Sequence, residues 1–178
     1  MAYDLSEPLV IGISSRALFN LEQENKIFEE QGLSEYEAYQ VQHEKDVLAK
    51  GSAFQLVRAF LNLNTLQEKR LVEVIVMSRN SPNTSLRIFN SIAHYGLDIT
   101  RAALTGGAEI APYLKAFRTD LFLSANQDDV KQAVDGGVAA ATILPGSPHD
   151  NPDSAVNQIH SAFDGDAVLF AAEAERIY

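Results

Sequence analysis

The chain of 178 residues contains no cysteine. That excludes disulfides and thiolate metal sites, and it is compatible with a reducing compartment. Long apolar runs are also missing: no stretch approaches the roughly 18 consecutive apolar residues of a membrane-crossing helix, so no membrane partner is expected. The opening MAYDLSEPL lacks the basic and apolar regions of a secretory signal, and the expected location is cytoplasmic. Positive charge is scarce. Fourteen Lys and Arg stand against 24 Asp and Glu, a formal charge of −10. This balance argues against a nucleic-acid partner, which needs a basic face. It does not exclude a small anion, because a local pocket of amides, lysine or metal outweighs the global sign.

What is present fits one globular domain with a sizeable core: 46% hydrophobic and 21% charged residues. Apolar runs alternate with helical periodicities. PLVIGIS (8–14) reads as a buried strand. FNLEQENKIFEEQGL (19–33) reads as a helix stopped by Gly32. SEYEAYQVQHEKDVLA (34–49) reads as a helix with Ser34 and Glu37 as a capping box, and SAFQLVRAFLNLN (52–64) as another helix. Strands follow at 71–78, 97–105, 119–125 and 138–144, with helices at 84–96, 110–117 and 127–137 between them. A loop over 145–153, a helix over 154–161 and a strand over 162–170 complete the pattern.

The alternation predicts an α/β fold: a doubly wound, mostly parallel sheet with helices on both faces. Ligands of such sheets bind beyond the carboxyl ends of the strands. Ser14 and Ser15, Ser78 with Arg79 and Asn80, Thr105 with Gly106 and Gly107, and Ser124 with Asn126 fall there. The stretch 20–65 breaks the rhythm. It places three helical stretches where one would connect two strands, and it is expected to form a small cap-like insert over the strand ends.

Two distant segments also resemble each other. SSRALFNLEQENKIF (14–28) aligns with GDAVLFAAEAERIY (165–178), Ala17-Leu18-Phe19 falling on Val168-Leu169-Phe170. The chain then divides into a first copy, 1–161, and the start of a second, 162–178. Asp164 and Asp166 occupy positions that are Ile13 and Ser15 in the first copy.

FDGDAVLF (163–170) resembles the first motif of haloacid-dehalogenase-like phosphatases. With IGISSRALF, IFEEQGL, FNSIAHYGLDITRAALTGG, APYLKAF and DLFLSAN, the chain is similar to the cytosolic type I 5′-nucleotidase family. Members of that family continue past the Asp-Gly-Asp segment into a second phosphatase-like half. The chain is therefore expected to be a partial form with weak or absent turnover. Ala171 and Ala172 stand where the resemblance leads one to expect Ser-Asp.

The resemblance implies Mg²⁺-dependent hydrolysis of nucleoside 5′-monophosphates through an aspartyl-phosphate. Asp164 would be the nucleophile and Asp166 the acid and base, both also metal ligands. Ser78 and Lys115 would bind phosphate, helped by the amides of Gly106 and Gly107. A carboxylate nucleophile divides a hard hydrolysis into two displacements, and a second carboxylate handles the proton. Asp120 and SAN (124–126) occupy the region where a phosphatase places metal-binding acids, and Asp128 and Asp129 lie nearby on the following helix.

Plainer readings stand beside these. Asp-Gly-Asp also suits a turn, Ser78 a cap, Lys115 a solvated helix face, and Gly106-Gly107 a chain reversal. Histidines 43, 94, 149 and 160 show no ligand spacing. A non-catalytic nucleotide-binding or oligomerisation domain is the alternative function, and a homo-oligomer is expected. A phospho-accepting receiver domain is disfavoured, because its acid pair should follow an early strand, which here ends Ile13-Ser14-Ser15.

Overall fold

A computed structural model describes residues 5–144. The expectations for 145–153, 154–161 and 162–178, including those for Asp164 and Asp166, lie outside the described residues.

Five strands form one all-parallel sheet: β1 (Leu9–Ser14), β2 (Val72–Ser78), β3 (Arg101–Leu104), β4 (Leu121–Ser124) and β5 (Ala139–Thr142). Their spatial order is β3-β2-β1-β4-β5. The chain builds outward from β1 on one side, then returns across it to build the other. The direction reverses at β1, so a crevice opens beyond the carboxyl ends of the central strands. β1 pairs with β2 from Leu9↔Val72 to Ser14↔Met77 and with β4 from Ile11↔Leu121 to Ile13↔Leu123. Covered on both faces, β1 and β2 read as nearly continuous apolar runs.

The strand period of two sorts these residues into two cores. Ile11, Ile13, Val74 and Val76 face one layer, where they meet Phe54 and Val57 of α4 (Phe54–Asn62) and Ile88 and Ile92 of α5 (Leu86–His94). Val10, Ile75, Met77 and Phe122 face the other, against Leu114 of α6 (Ala111–Ala116) and Ala133 of α7 (Gln127–Asp135). Helices therefore cover both faces, as the alternation predicts.

Between β1 and β2 the chain forms α1 (Ser15–Leu18), α2 (Glu22–Gln31) and α3 (Leu33–Gln42) before α4. Because α4 packs on the sheet as the crossover helix, α2 and α3 are the pair that leaves the layered body. Gly32 separates them with φ +93°, a conformation that costs a side-chain-bearing residue strain. The capping box expected at Ser34 and Glu37 is not formed. α3 starts one residue earlier, at Leu33, with Gly32 as its cap and no side-chain cap bond. Ser34 thus lies within the first turn.

The excursion leaves and returns at one place. Phe19 and Lys50 form an antiparallel bridge. Asn20 N donates to the Ala49 carbonyl and Gly51 N to the Leu18 carbonyl, both at 2.9 Å. Gly51 is required here: a Cβ would lie 2.6 Å from the Ala17 carbonyl oxygen.

Candidate functional site

A cavity of about 470 Å³ lies over the carboxyl ends of β1, β2 and β4. That volume is in the range of small-molecule sites. Its floor is polar. Ser14 and Ser15 come from the β1–α1 junction, Ser78 and Asn80 from the end of β2, and Ser124 and Asn126 from the end of β4. Its roof is the α2–α3 pair, which contributes Glu24, Phe28, Leu33 and Tyr36.

The hydroxyls of the floor are mutually oriented. The Ser15 and Ser78 Oγ atoms are 3.2 Å apart, and Ser78 Oγ also accepts from Asn80 N at 3.2 Å. Ser14 Oγ accepts from Ala17 N and from Ala125 N, both at 3.3 Å, tying β1 to the loop after β4. Asn126 Oδ1 caps α7 by accepting from the Asp128 and Asp129 amides at 2.8 and 3.1 Å. That cap places Asp129 in the cavity wall, where it is ion-paired with Arg79.

Gly106 and Gly107 line the cavity with φ +59° and +95°, a reversal that glycine alone makes cheaply. Their N–H groups donate to the carbonyls of Asn80, at 3.2 Å, and Arg79, at 2.6 Å. These amides are thus engaged within the fold, and what the glycines give the site is its shape.

The roof is joined to the floor through polar groups. Tyr36 donates its hydroxyl hydrogen to Asn80 Oδ1 at 3.1 Å and accepts from Gln40 Nε2 at 3.1 Å. Burial pushes the Tyr36 phenol above its ordinary value of 10.0, against the opposing pull of the Gln40 and Asn80 hydrogen bonds. Glu24 Oε1 accepts from Arg87 Nη1 of α5 at 2.6 Å, and both residues are buried.

The structure brings Ser78, Gly106 and Gly107 together at this cavity. Lys115 is exposed on α6 and is not among the lining residues. Asp120 sits at the opposite end of the sheet. Its Oδ2 accepts from Val10 N at 2.8 Å, near the start of β1, so it cannot serve a site at the strand ends. Thr105 turns its hydroxyl to the Ala108 carbonyl at 2.6 Å. His43 contacts Asp46 at 2.6 Å, and His94 packs on the Tyr95 ring.

The sequence reading missed the roof residues Glu24 and Tyr36 and the support from Gln40 and Arg87. One signal was available for Arg87. It and Ser91 stand four apart on an amphipathic helix, next to the apolar Ile88 and Ile92, so they fall beside its buried stripe. Glu24 and Gln40 carried no such mark.

Among the described residues, no three His, Asp or Glu side chains converge to hold a metal ion. Asp129 and Glu24 are each held by an arginine. Mg²⁺ seeks several oxygen ligands with one or two free carboxylates, and the described residues do not fit that need.

A parallel α/β sheet with a hydroxyl-floored cavity at its switch point defines the broad class: a doubly wound α/β domain with a cavity of small-molecule size. The chain belongs to the 5′-nucleotidase family, whose profile matches residues 1–178. It is also 39% identical over 175 residues to cytosolic 5′-nucleotidase 1B of Homo sapiens. That match covers 94% of this chain and 28% of the relative, so the chain spans little more than a quarter of that protein's length. No solved structure matches it. Among the described residues no helix is long and apolar enough to cross a membrane.

Proposed function

We propose that the protein takes part in hydrolysing nucleoside 5′-monophosphates, in the cytosol, and that the described domain holds the nucleotide while Asp164 and Asp166 carry the chemistry. In this reading an Asp164 oxygen attacks phosphorus, the bond to the 5′-oxygen breaks, and Asp166 protonates that leaving oxygen. Asp166 then takes a proton from water, the resulting hydroxide attacks the aspartyl-phosphate, and phosphate leaves with Asp164 regenerated. In this reading the same two aspartates would hold the Mg²⁺ that the family resemblance implies, which would offset charge on carboxylate and phosphate.

One observation carries the division of labour. The strand that would present a nucleophile to the cavity, β1, ends in Ser14 and is followed by Ser15, and both hydroxyls are already hydrogen-bonded. A neutral serine without an adjacent base is a poor nucleophile toward phosphorus, whereas the hydroxyls suit a phosphate oxygen.

The test is phosphate release from AMP in Mg²⁺ by the intact chain and by Asp164→Asn. Release, where the chain supports any, is expected to be weak and to fall to the buffer rate in the variant. Release that survives the substitution rejects the assignment. Saturable AMP binding without release in either protein favours the second reading, a non-catalytic nucleotide-binding module. The same hydroxyl floor supports that reading.

A further inference from the structure

The two arginine-held carboxylates of the cavity wall differ in their surroundings. Asp129 pairs with Arg79, whose side chain is 40% exposed. Glu24 is only 4% exposed, and its partner Arg87 is buried and fixed in turn, donating from Nε to the Asp46 carbonyl at 2.8 Å. Glu24 Oε1 takes the Arg87 hydrogen bond. Among the described residues, no other hydrogen bond reaches the Glu24 carboxylate.

An ionised carboxylate only accepts hydrogen bonds. A largely buried one gains most from a donor that meets its remaining oxygen. The phenol of Tyr36 lines the same cavity as Glu24, but it spends its proton on Asn80. The second oxygen is not among the fully enclosed unpaired atoms of the described residues, so it opens to the cavity and is served there by water or by a ligand donor that replaces it. Arg87 already balances the Glu24 charge, so a neutral O–H or N–H suits the position better than a second cation. Phe28 and Leu33, large and partly exposed, line the same cavity and offer apolar surface to a ring.

We propose that Glu24 is a specificity residue that accepts a hydrogen bond from the nucleoside part of the ligand, a sugar hydroxyl or an exocyclic amine. This rests on reading the cavity as a nucleotide site. Arg87 acts as its positioning residue, holding one oxygen so that the other faces the ligand.

The experiment is calorimetric binding to the intact chain. The probes are AMP, its 2′-deoxy and 3′-deoxy analogues, and IMP, which lacks the exocyclic amine. One removed donor is expected to weaken wild-type binding about tenfold or more, as for a charge-assisted hydrogen bond. The analogue that loses affinity identifies the sugar or the base as the source. In Glu24→Gln that discrimination should shrink to about twofold, since the acceptor's charge is gone. Because Glu24→Gln leaves a buried arginine poorly compensated, the double variant Glu24→Met with Arg87→Met provides the same readout without an unpaired charge.

Equal wild-type affinity for all four probes overturns the proposal. So does discrimination that persists in both variants, or that disappears instead in Glu37→Gln, the exposed carboxylate at the rim. Failure of AMP itself to bind overturns the nucleotide reading of the cavity, and this proposal with it.

Discussion

The sheet and its helical roof are held by opposite means. In β1 and β2 the buried residues are almost all apolar, and they interlock with helices on two faces. In α2 and α3 the buried residues are Glu24 and Gln40, both polar, while Phe28, Leu33 and Val41 are exposed. Hydrophobic burial is non-directional and grows with area. A few buried polar contacts are directional, and each is worth little net. The body is therefore built to stay folded, and the roof to keep a particular orientation over the cavity with modest adhesion.

The sharpest test of that contrast is a loss from each side. Phe122 is fully buried in the second core. Phe122→Ala should cost about 3–5 kcal/mol and lower global stability in denaturant, with hydrogen exchange accelerating across all five strands. Arg87→Ala should cost about 3 kcal/mol, near the lower end for breaking a buried pair, because Glu24 faces a cavity that water can enter. Its signature is local: exchange should accelerate in α2 and α3 and change little in β1 and β4. If the strands respond as strongly as the roof, the two regions are one cooperative unit and the contrast fails.

A smaller effect comes from Tyr36→Phe. The change leaves Asn80 Oδ1 and Gln40 Nε2 without their partner and should cost about 1–3 kcal/mol. It should also alter the alkaline limb of the stability curve. The folded phenol titrates above 10.0, so beyond that pH the native state keeps a proton that the unfolded chain has lost. Stability contributed by Tyr36 is present below that pH and declines as pH rises through the folded value. Denaturant midpoints measured from pH 8 to 11 should show a shallower decline in the variant, and an unchanged slope would remove Tyr36 from the account.

The same contrast explains what the sequence revealed. Strands buried on both faces leave uninterrupted apolar runs, so VIGI and VEVIVM announced β1 and β2, and the order of elements followed from the alternation. Ser78 was legible because it ends such a strand, and the Gly106-Gly107 turn because paired glycines close the weaker strand β3. The roof was not legible. Glu24 lies among Glu22, Glu29 and Glu30, and nothing local distinguishes the buried carboxylate from its solvated neighbours. Its burial depends on Arg87, 63 positions away. Asp120 misled for a related reason: its place beside a strand was correct, but it marks the strand's beginning. Capping at α3 misled because Gly32 already starts that helix, leaving Ser34 no role there.

The bridge between Phe19 and Lys50 has a bearing on ancestry. Residues 20–49 depart from and rejoin the body at adjacent backbone positions, so the sheet registers only a tight stitch, whatever hangs beyond it. A lineage could lengthen, shorten or exchange that appendage without disturbing strand pairing. Glycine at 51, where no larger residue fits, is the thread such exchanges would have to preserve.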